Sequence, residues 1–315
     1  MFNAILNGRV TQRGDQLTLS LELIDARSEN IICAEQYNRK QTDLVTLQSE
    51  IARDVSRKLQ TRLSGADVQN VTKNYTENAE AYQLYLRGRY HIFKLLPLEI
   101  HKGISYFEEA IELDPNYALA YVGLSDGYRS LALSAEVLPS AVISKSRAAS
   151  EKAVALDDRL SEAHSSRGMN LFWYGWDWNA AESEFKRALE LNDNNSDAHL
   201  FYAHMLSNSG RHAEAFVEVK RARELDPLSL FVNSLEAQFL IHGGRTDEGL
   251  DRLQKTFELS PNFWMAHLFA SSGYIEKRMY DRAIAEADKA RELFASSNLC
   301  NLLEGLRPGA VGQTS

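Results

Sequence analysis

Six versions of one helix-ending phrase recur along this chain: Ala-Ile-Glu-Leu-Asp-Pro (Ala110–Pro115), Ala-Val-Ala-Leu-Asp-Asp (Ala153–Asp158), Ala-Leu-Glu-Leu-Asn-Asp (Ala188–Asp193), Ala-Arg-Glu-Leu-Asp-Pro (Ala222–Pro227), Thr-Phe-Glu-Leu-Ser-Pro (Thr256–Pro261) and Ala-Arg-Glu-Leu-Phe-Ala (Ala290–Ala295). Their first residues are spaced 43, 35, 34, 34 and 34 apart. A register held over so long a stretch is the mark of a repeat architecture, in which each unit buries its apolar face only against its neighbours.

One copy, Asn194–Pro227, shows the physics. Ala198, Tyr202 and Leu206 form a helical stripe that runs to the breaker Ser209-Gly210, and Ala215, Val219 and Ala222 form a second stripe that Pro227 ends. Each stripe must be covered by the other and by the next hairpin. Ala203 and Ala222 stay small because the helices approach closely there, and a bulky replacement would overpack by roughly 1–3 kcal/mol.

The pattern resembles the tetratricopeptide repeat family. Its positions are carried by His199, Tyr202, Ala203, Leu206, Ala215, Val219, Ala222 and Pro227 in repeat four, and by Tyr82, Tyr85, Gly88, Phe107, Ala110 and Pro115 in repeat one. Repeat two matches through Tyr121, Leu124, Tyr128, Ala153 and Leu156, and repeat three through His164, Gly168, Leu171, Ala181, Phe185 and Ala188. The last two match through Asn233, Ala237, Leu240, Gly249 and Pro261, then His267, Ser271, Tyr274, Ala283 and Ala290. The resemblance implies a mainly α fold: a right-handed superhelix of α-α hairpins, about six repeats and a terminal helix over residues 79–305, with a disordered tail at 306–315. Repeats one and two carry extra residues near Lys94–Glu99 and Ala132–Ser140, expected as longer loops on an edge of the stack.

Residues 1–64 follow a different period. Leu17, Leu19, Leu21 and Leu23 alternate with polar residues and, with Ile5–Val10, flank the turn Arg13-Gly14-Asp15, which predicts a hairpin with one buried face. Ile31–Tyr37 reads as a third strand, and Thr42 caps a helix over Asp43–Leu63 whose stripe is Leu44, Leu47, Ile51, Val55 and Leu59. This small α+β unit, a three-stranded antiparallel sheet plus one long helix, resembles the closing half of the TolB-like domain that precedes tetratricopeptide repeats in bacterial multidomain regulators. The matching pieces are Leu6–Val10, Arg13–Asp15, Glu22–Asp25, Glu35–Tyr37 and Leu47–Ala52. In such relatives a winged helix, a protein kinase or a nucleotide cyclase lies upstream, commonly beyond a membrane span. The family's earlier strand and helix are missing, so the chain is expected to begin partway through the domain, with an open sheet edge near residues 4–10 able to self-associate. A polar linker, 65–78, follows; its two Asn-x-Thr triplets are ascribed to composition.

Composition narrows the function. Beyond residue 64 the chain carries 26 Lys/Arg against 35 Asp/Glu, the wrong balance for tracking phosphates, so no nucleic-acid partner is expected of this chain alone. The longest uncharged stretch, Leu259–Ile275, is broken by Pro261, Asn262 and Gly273 and reads as a buried helix with its entry turn, so no membrane span is expected. With no leader the expected location is cytoplasmic, or extracytoplasmic if the chain is the C-terminal part of a membrane-anchored protein. Cys33 and Cys300 form neither a disulfide framework nor a zinc site. His164, His199 and His267 recur at one register position and so read as packing residues, and His199 and His204, five apart, do not share a helical face as paired ligands would. The aromatic run Trp173–Trp178 reads as structural packing at an inter-helix turn rather than a ligand cage, and Arg13-Gly14-Asp15 as turn chemistry. No phosphate loop, dinucleotide turn, His-Glu-x-x-His or nucleophile elbow is present, so no catalytic residue, cofactor or metal is expected.

In the resembled family the first helices line a concave groove. Its lining here would be Met169, Phe172, Trp173, Asp197, Phe201, His204, Asn208, Phe231, Gln238, His242, Met265, Phe269 and Ser272. That surface is apolar and amide-rich with little positive charge, and Leu200 and Ser234 stand where a carboxylate clamp would need a basic residue. An extended or helical peptide with apolar anchors fits it. Three classes stay open: an interaction scaffold or the sensing part of a regulator, an envelope-associated assembly module, and an enzyme whose site is unrecognised.

Overall fold

The computed structural model describes residues 4–25, 28, 30–40, 50–51, 54, 75–133 and 137–305. They divide into two units, Met1–Leu86 with Glu108–Tyr117, and Arg87–Phe107 with Ala118–Ser315.

In the first unit the alternating leucines form the centre of a three-stranded antiparallel sheet, β1 (Ala4–Arg13), β2 (Gln16–Asp25) and β3 (Ile31–Lys40), in the order β1-β2-β3. Gly14 takes φ 62° in the two-residue turn between the paired residues Arg13 and Gln16. Leu19, Leu21 and Tyr37 pack on the face that Ile51 covers, as the one-sided alternation requires. Tyr37 donates its hydroxyl to Asp54 Oδ2 at 3.0 Å, and Arg39 pairs with Glu50 at 2.9 Å. Burial, then the Asp54 carboxylate, push the Tyr37 hydroxyl up to about 12. Of the helix expected over Asp43–Leu63, Glu50, Ile51 and Asp54 are helical; its other residues, most of the linker and the tail at 306–315 lie outside the described residues. β1 has no partner beyond β2 among the described residues. Where the repeats begin, Asn78 Oδ1 accepts from the backbone N–H of Glu80 and Ala81 at 3.0 and 3.1 Å, and Thr76 donates to Asp114 at 2.6 Å.

The repeat region is built of helices α1 (Ala79–Ile92), α2 (Pro97–Leu113), α3 (Ala118–Leu133), α4 (Pro139–Leu156), α5 (Ser161–Asn170), α6 (Trp178–Leu191), α7 (Ser196–Asn208), α8 (His212–Leu225), α9 (Leu230–His242), α10 (Thr246–Leu259), α11 (Trp264–Glu276) and α12 (Tyr280–Gly305). Odd numbers are first helices of the six repeats and even numbers second helices. Within the second unit, α3, α5, α7, α9 and α11 touch one another in succession, and each of α5, α7, α9 and α11 also packs on its own second helix and on the one before it. That is the tetratricopeptide-type solenoid, and it explains the small residues: Ala153, Ala188, Ala222 and Thr256, which open the recurring phrase, are fully buried where helices meet. The tightest approach surrounds Phe107, whose ring is 1% exposed and lies where a Cβ on either Gly88 or Gly123 would fall 2.5 Å from it.

The turn between helices repeats as strictly as the core. Trp176, Gly210, Gly244 and Arg278 occupy one register position and all take positive φ, 52°, 77°, 77° and 58°. The following amide closes the turn onto the first helix: Arg211 to Leu206 O at 2.9 Å, Arg245 to Leu240 O at 2.8 Å and Met279 to Tyr274 O at 2.9 Å. Repeat three holds one extra residue, which a π-helical turn at Leu171–Gly175 absorbs. The aromatic run is thereby divided: Trp176 is 76% exposed, whereas Trp178 starts α6 and meets Phe172 edge-on at 5.5 Å.

Of the two expected edge loops, that between α3 and α4 lies partly outside the described residues at 134–136. The other differs from expectation. Leu95, at φ 54°, packs against the core cluster of repeats five and six that contains Ala237, Ile241, Ala266 and Ala270. Glu99, almost fully buried, anchors this turn, with Lys94, His91 and Lys102 at 2.5, 2.8 and 2.9 Å from its carboxylate. A local period carries no information on so distant a contact. Among the described residues no helix is long and apolar enough to cross a membrane.

Candidate functional site

The first-helix row places the thirteen expected lining residues at three depths. Met169, 1% exposed, and Phe172 belong to the packed core of repeats three to five. Trp173, Phe201, Phe231 and Phe269 are half-buried and rest on that same core, and Met265 rests on the next cluster along. Asp197, His204 and Gln238 are also half-buried, while Asn208, His242 and Ser272 are exposed. The row therefore offers aromatic surface left over after the core is filled, with Met169 and Phe172 as the support beneath it.

His204 is the centre of this surface. Its ring meets Phe172, Trp173 and Phe239 at centroid distances of 5.8, 5.5 and 5.5 Å. Loss of solvation, with smaller repulsions from His242 and Arg129, pulls its pKa down to about 4, so it is neutral near pH 7. His242 is likewise lowered, by desolvation and then by His212. Both histidines thus behave as polar aromatic surface rather than as cations.

Two arginines that the sequence reading left out of the lining enter it. Arg129 of α3 is almost fully buried, pairs with Asp126 at 2.7 Å and stacks over the Phe201 ring at 5.4 Å. Arg89 of α1 lies 3.8 Å from Asp197 of α7. Desolvation pushes the Asp197 carboxyl up, with Arg89 acting against it. The expectation of little positive charge is corrected by these two contacts. A signal existed, because Asp126 and Arg129 stand in register with Met169 and Phe172 one repeat later. Beneath them Asn170 ties repeats two and three through Ser125, Ser146 and Ser150 at 3.0, 2.8 and 3.0 Å, a buried polar network with its donors and acceptors matched.

The recurring histidines lie elsewhere. His164, His199 and His267 each set Nδ1 against a second-helix carboxylate, Glu184, Glu218 and Glu286, at 2.8, 2.6 and 2.6 Å. Each also sets Nε2 against a backbone carbonyl six residues back, of Asp158, Asp193 and Pro261, at 2.9, 3.0 and 2.9 Å. With both nitrogens engaged, the ring ties the two helices of its own hairpin to the loop that enters it. No group of three or more His, Cys, Asp or Glu able to hold a metal occurs among the described residues. Leu200 and Ser234, at the positions a carboxylate clamp would use, are fully buried.

No family model matches the sequence. Over 121 residues, 38% of this chain, it is 25% identical to a protein described as putative adenylate cyclase 3 of Rhizobium meliloti (strain 1021), and that match spans 21% of the relative's length. Among solved structures it is similar to TTC0263, a thermophilic TPR protein of Thermus thermophilus, at 19% identity over 61% of this chain and 98% of that one, with a TM-score of 0.49. PilW, a type IV pilus biogenesis factor, aligns at 15% identity over 69% and 91% of the two chains with a TM-score of 0.46. YrrB, a TPR protein with an unusual peptide-binding site, aligns at 22% identity over 64% and 98% with a TM-score of 0.38.

Proposed function

We propose that this chain is a non-catalytic interaction scaffold that receives an extended or helical peptide along the first-helix row of repeats three to six. The observation that carries this reading is the set Trp173, Phe201, Phe231 and Phe269, half-buried aromatic side chains that recur helix after helix around a neutral His204. Rigid aromatic surface of this kind supplies interface hot spots at low entropic cost. The Arg129–Asp126 pair and the Arg89–Asp197 pair would fix the peptide's direction. The turn that carries Leu95 borders the far end and limits a ligand's length. Affinity selection of the full chain against a displayed-peptide library, followed by solution binding of the recovered peptide, tests it. Phe231→Ala is expected to weaken binding about tenfold or more with helicity unchanged, and Ile284→Ala, on the exposed surface of α12, to leave it unaltered. Failure to recover any peptide, or recovery of peptides indifferent to Phe201→Ala and Phe231→Ala, refutes the reading.

A second reading is favoured by the partial match to a longer relative: the scaffold serves as the sensing portion of a larger signalling protein, with the small sheet unit as part of a TolB-like domain that pairs through the β1 edge. Conversion of ATP to cyclic AMP by this chain alone would overturn its non-catalytic assignment.

A further inference from the structure

On the second-helix side of repeats four and five lies a cleft of about 410 Å³, whose walls come from α8, α9 and α10. Its apolar part is Phe216, Val217 and Leu240; its charged part is Lys220, Arg223, Arg245 and Arg252 against Glu236 and Glu248. Arg245 and Glu248 satisfy each other, through Nε to Oε1 at 2.7 Å and a second guanidinium nitrogen to Oε2 at 2.5 Å, and the guanidinium lies over the Phe216 ring at 4.7 Å. What remains is three cations around one carboxylate, in a chain whose formal net charge is −8.

Glu236 is 7% exposed, and its Oε2 lies 2.8 Å from Arg223 Nε and 3.0 Å from Arg252 Nε. All three atoms are buried, yet none makes a hydrogen bond, because the N–H directions miss the oxygen. The paired N–H edges with which each guanidinium could grip an oxyanion carry no hydrogen bond among the described residues. Among those residues Lys220 has only Glu224, at 3.9 Å. Burial outweighs both arginines and pushes the Glu236 carboxyl above the usual range, as expected of an ion pair that solvates its members poorly.

The repeat register shows that packing does not demand this arrangement. Asn233 stands where repeats four and six have His199 and His267; Arg252 stands where they have Glu218 and Glu286; and Glu236 replaces Tyr202. In those repeats the same positions make a closed His–Glu contact. In repeat five that contact has been exchanged for two arginines that share the one Glu236 carboxylate beside a half-open cleft.

We infer that this cleft binds a small organic phosphomonoester, its dianionic phosphate held by Arg223, Arg252 and Lys220 and its non-polar part set against Phe216 and Leu240. Glu236 is the internal stand-in that keeps the two guanidinium groups apart and oriented when no ligand is present. The lining carries four cations against two carboxylates, with Glu224 outside it, a balance that suits a dianion, and the guanidinium forks match its tetrahedral oxygens.

Phenyl phosphate is the probe, titrated calorimetrically into the full chain at constant ionic strength near pH 7.5, where its phosphate is dianionic. Saturable binding is expected, weakened about tenfold by Arg252→Gln and by Lys220→Gln, the latter an exposed residue whose loss leaves folding intact. Glu236→Gln is expected to tighten binding about tenfold, a direction that damage to the fold cannot produce. Benzenesulfonate, a monoanion of similar shape, is expected to bind at least about tenfold more weakly, and inorganic phosphate to lose the apolar share. Absence of saturation by about 10 mM, on the order of the weakest specific binding, overturns the inference. So does indifference to Lys220→Gln or weaker binding in Glu236→Gln. A phosphoserine pentapeptide that binds better than phenyl phosphate would overturn the small-molecule assignment.

Discussion

Substitution of Gly123 by Ala tests the packing logic of the repeats at their tightest point. The new methyl would sit 2.5 Å from Cε1 and Cζ of Phe107, well inside contact distance. Phe107 cannot swing away on the other side, because Gly88 leaves the same 2.5 Å to that ring, and the side chain is 1% exposed. Relief must come from a shift of α2 or α3, so the cost belongs at the upper end of overpacking, about 3 kcal/mol. Urea unfolding followed by far-ultraviolet circular dichroism measures it as a fall in midpoint at constant m-value. Phe107→Leu alone should cost about 1.5 kcal/mol, and together with Gly123→Ala the loss should fall short of the sum by more than about 1 kcal/mol, because the smaller side chain makes room for the methyl. A Gly123→Ala protein within about 0.5 kcal/mol of the parent, or strict additivity in the double variant, would show that the ring has freedom and refute the argument.

The shared turn position predicts opposite effects of one exchange: Gly244→Ala should destabilise by about 1 kcal/mol, since an L-residue pays for positive φ, while Arg278→Gly should leave stability unchanged or raise it, as read from thermal midpoints. Acid should loosen the α1–α2 turn. Burial would raise Glu99, but Lys94, Lys102 and His91 hold it at about 2, below its ordinary 4.5, so its contribution is complete above the ordinary value and is lost as pH falls from about 5 towards 2. The loss should amount to roughly 1–3 kcal/mol after allowing for screening of the half-exposed lysines, and a Glu99→Gln protein whose stability falls with acid as steeply as the parent's would contradict it. His199 works in the opposite sense: burial opposes its charge but Glu218 and the Asp193 carbonyl raise its pKa, so its contribution is present below about 6.5 and fades as pH rises through the elevated folded value.

Most of the repeat scaffold was legible because it is governed by period. The positions of Ala203, Ala222 and Tyr202 in the core, the break at Ser209-Gly210 and the packing role of the recurring histidines all follow from one unit read against its copies. The β-hairpin was legible for the same reason, with period two in place of 3.6. Illegible features come from departures that a period cannot interpret. The extra residue in repeat three was visible as a spacing of 35, yet nothing local says that a π-turn absorbs it, with Trp178 then packed against Phe172. Arg129 was left out of the lining because its place over Phe201 joins repeat two to repeat four, a contact that no local period encodes. Of the lining residues, Met169 and Phe172 show the limit of face assignment: a wide apolar face supplies both floor and support, and only side-chain packing divides them.

Leu95 and the Arg89–Asp197 pair alter how a chain of this kind should come apart. A linear array couples only adjacent members, so it can fray from either end one hairpin at a time. Here Arg89 reaches Asp197 of repeat four and Leu95 reaches the core of repeats five and six, so within the second unit releasing the α1–α2 turn uncovers surface far along the chain. That turn works as a clasp, and the second unit should release as one cooperative body rather than as a sequence of independent links.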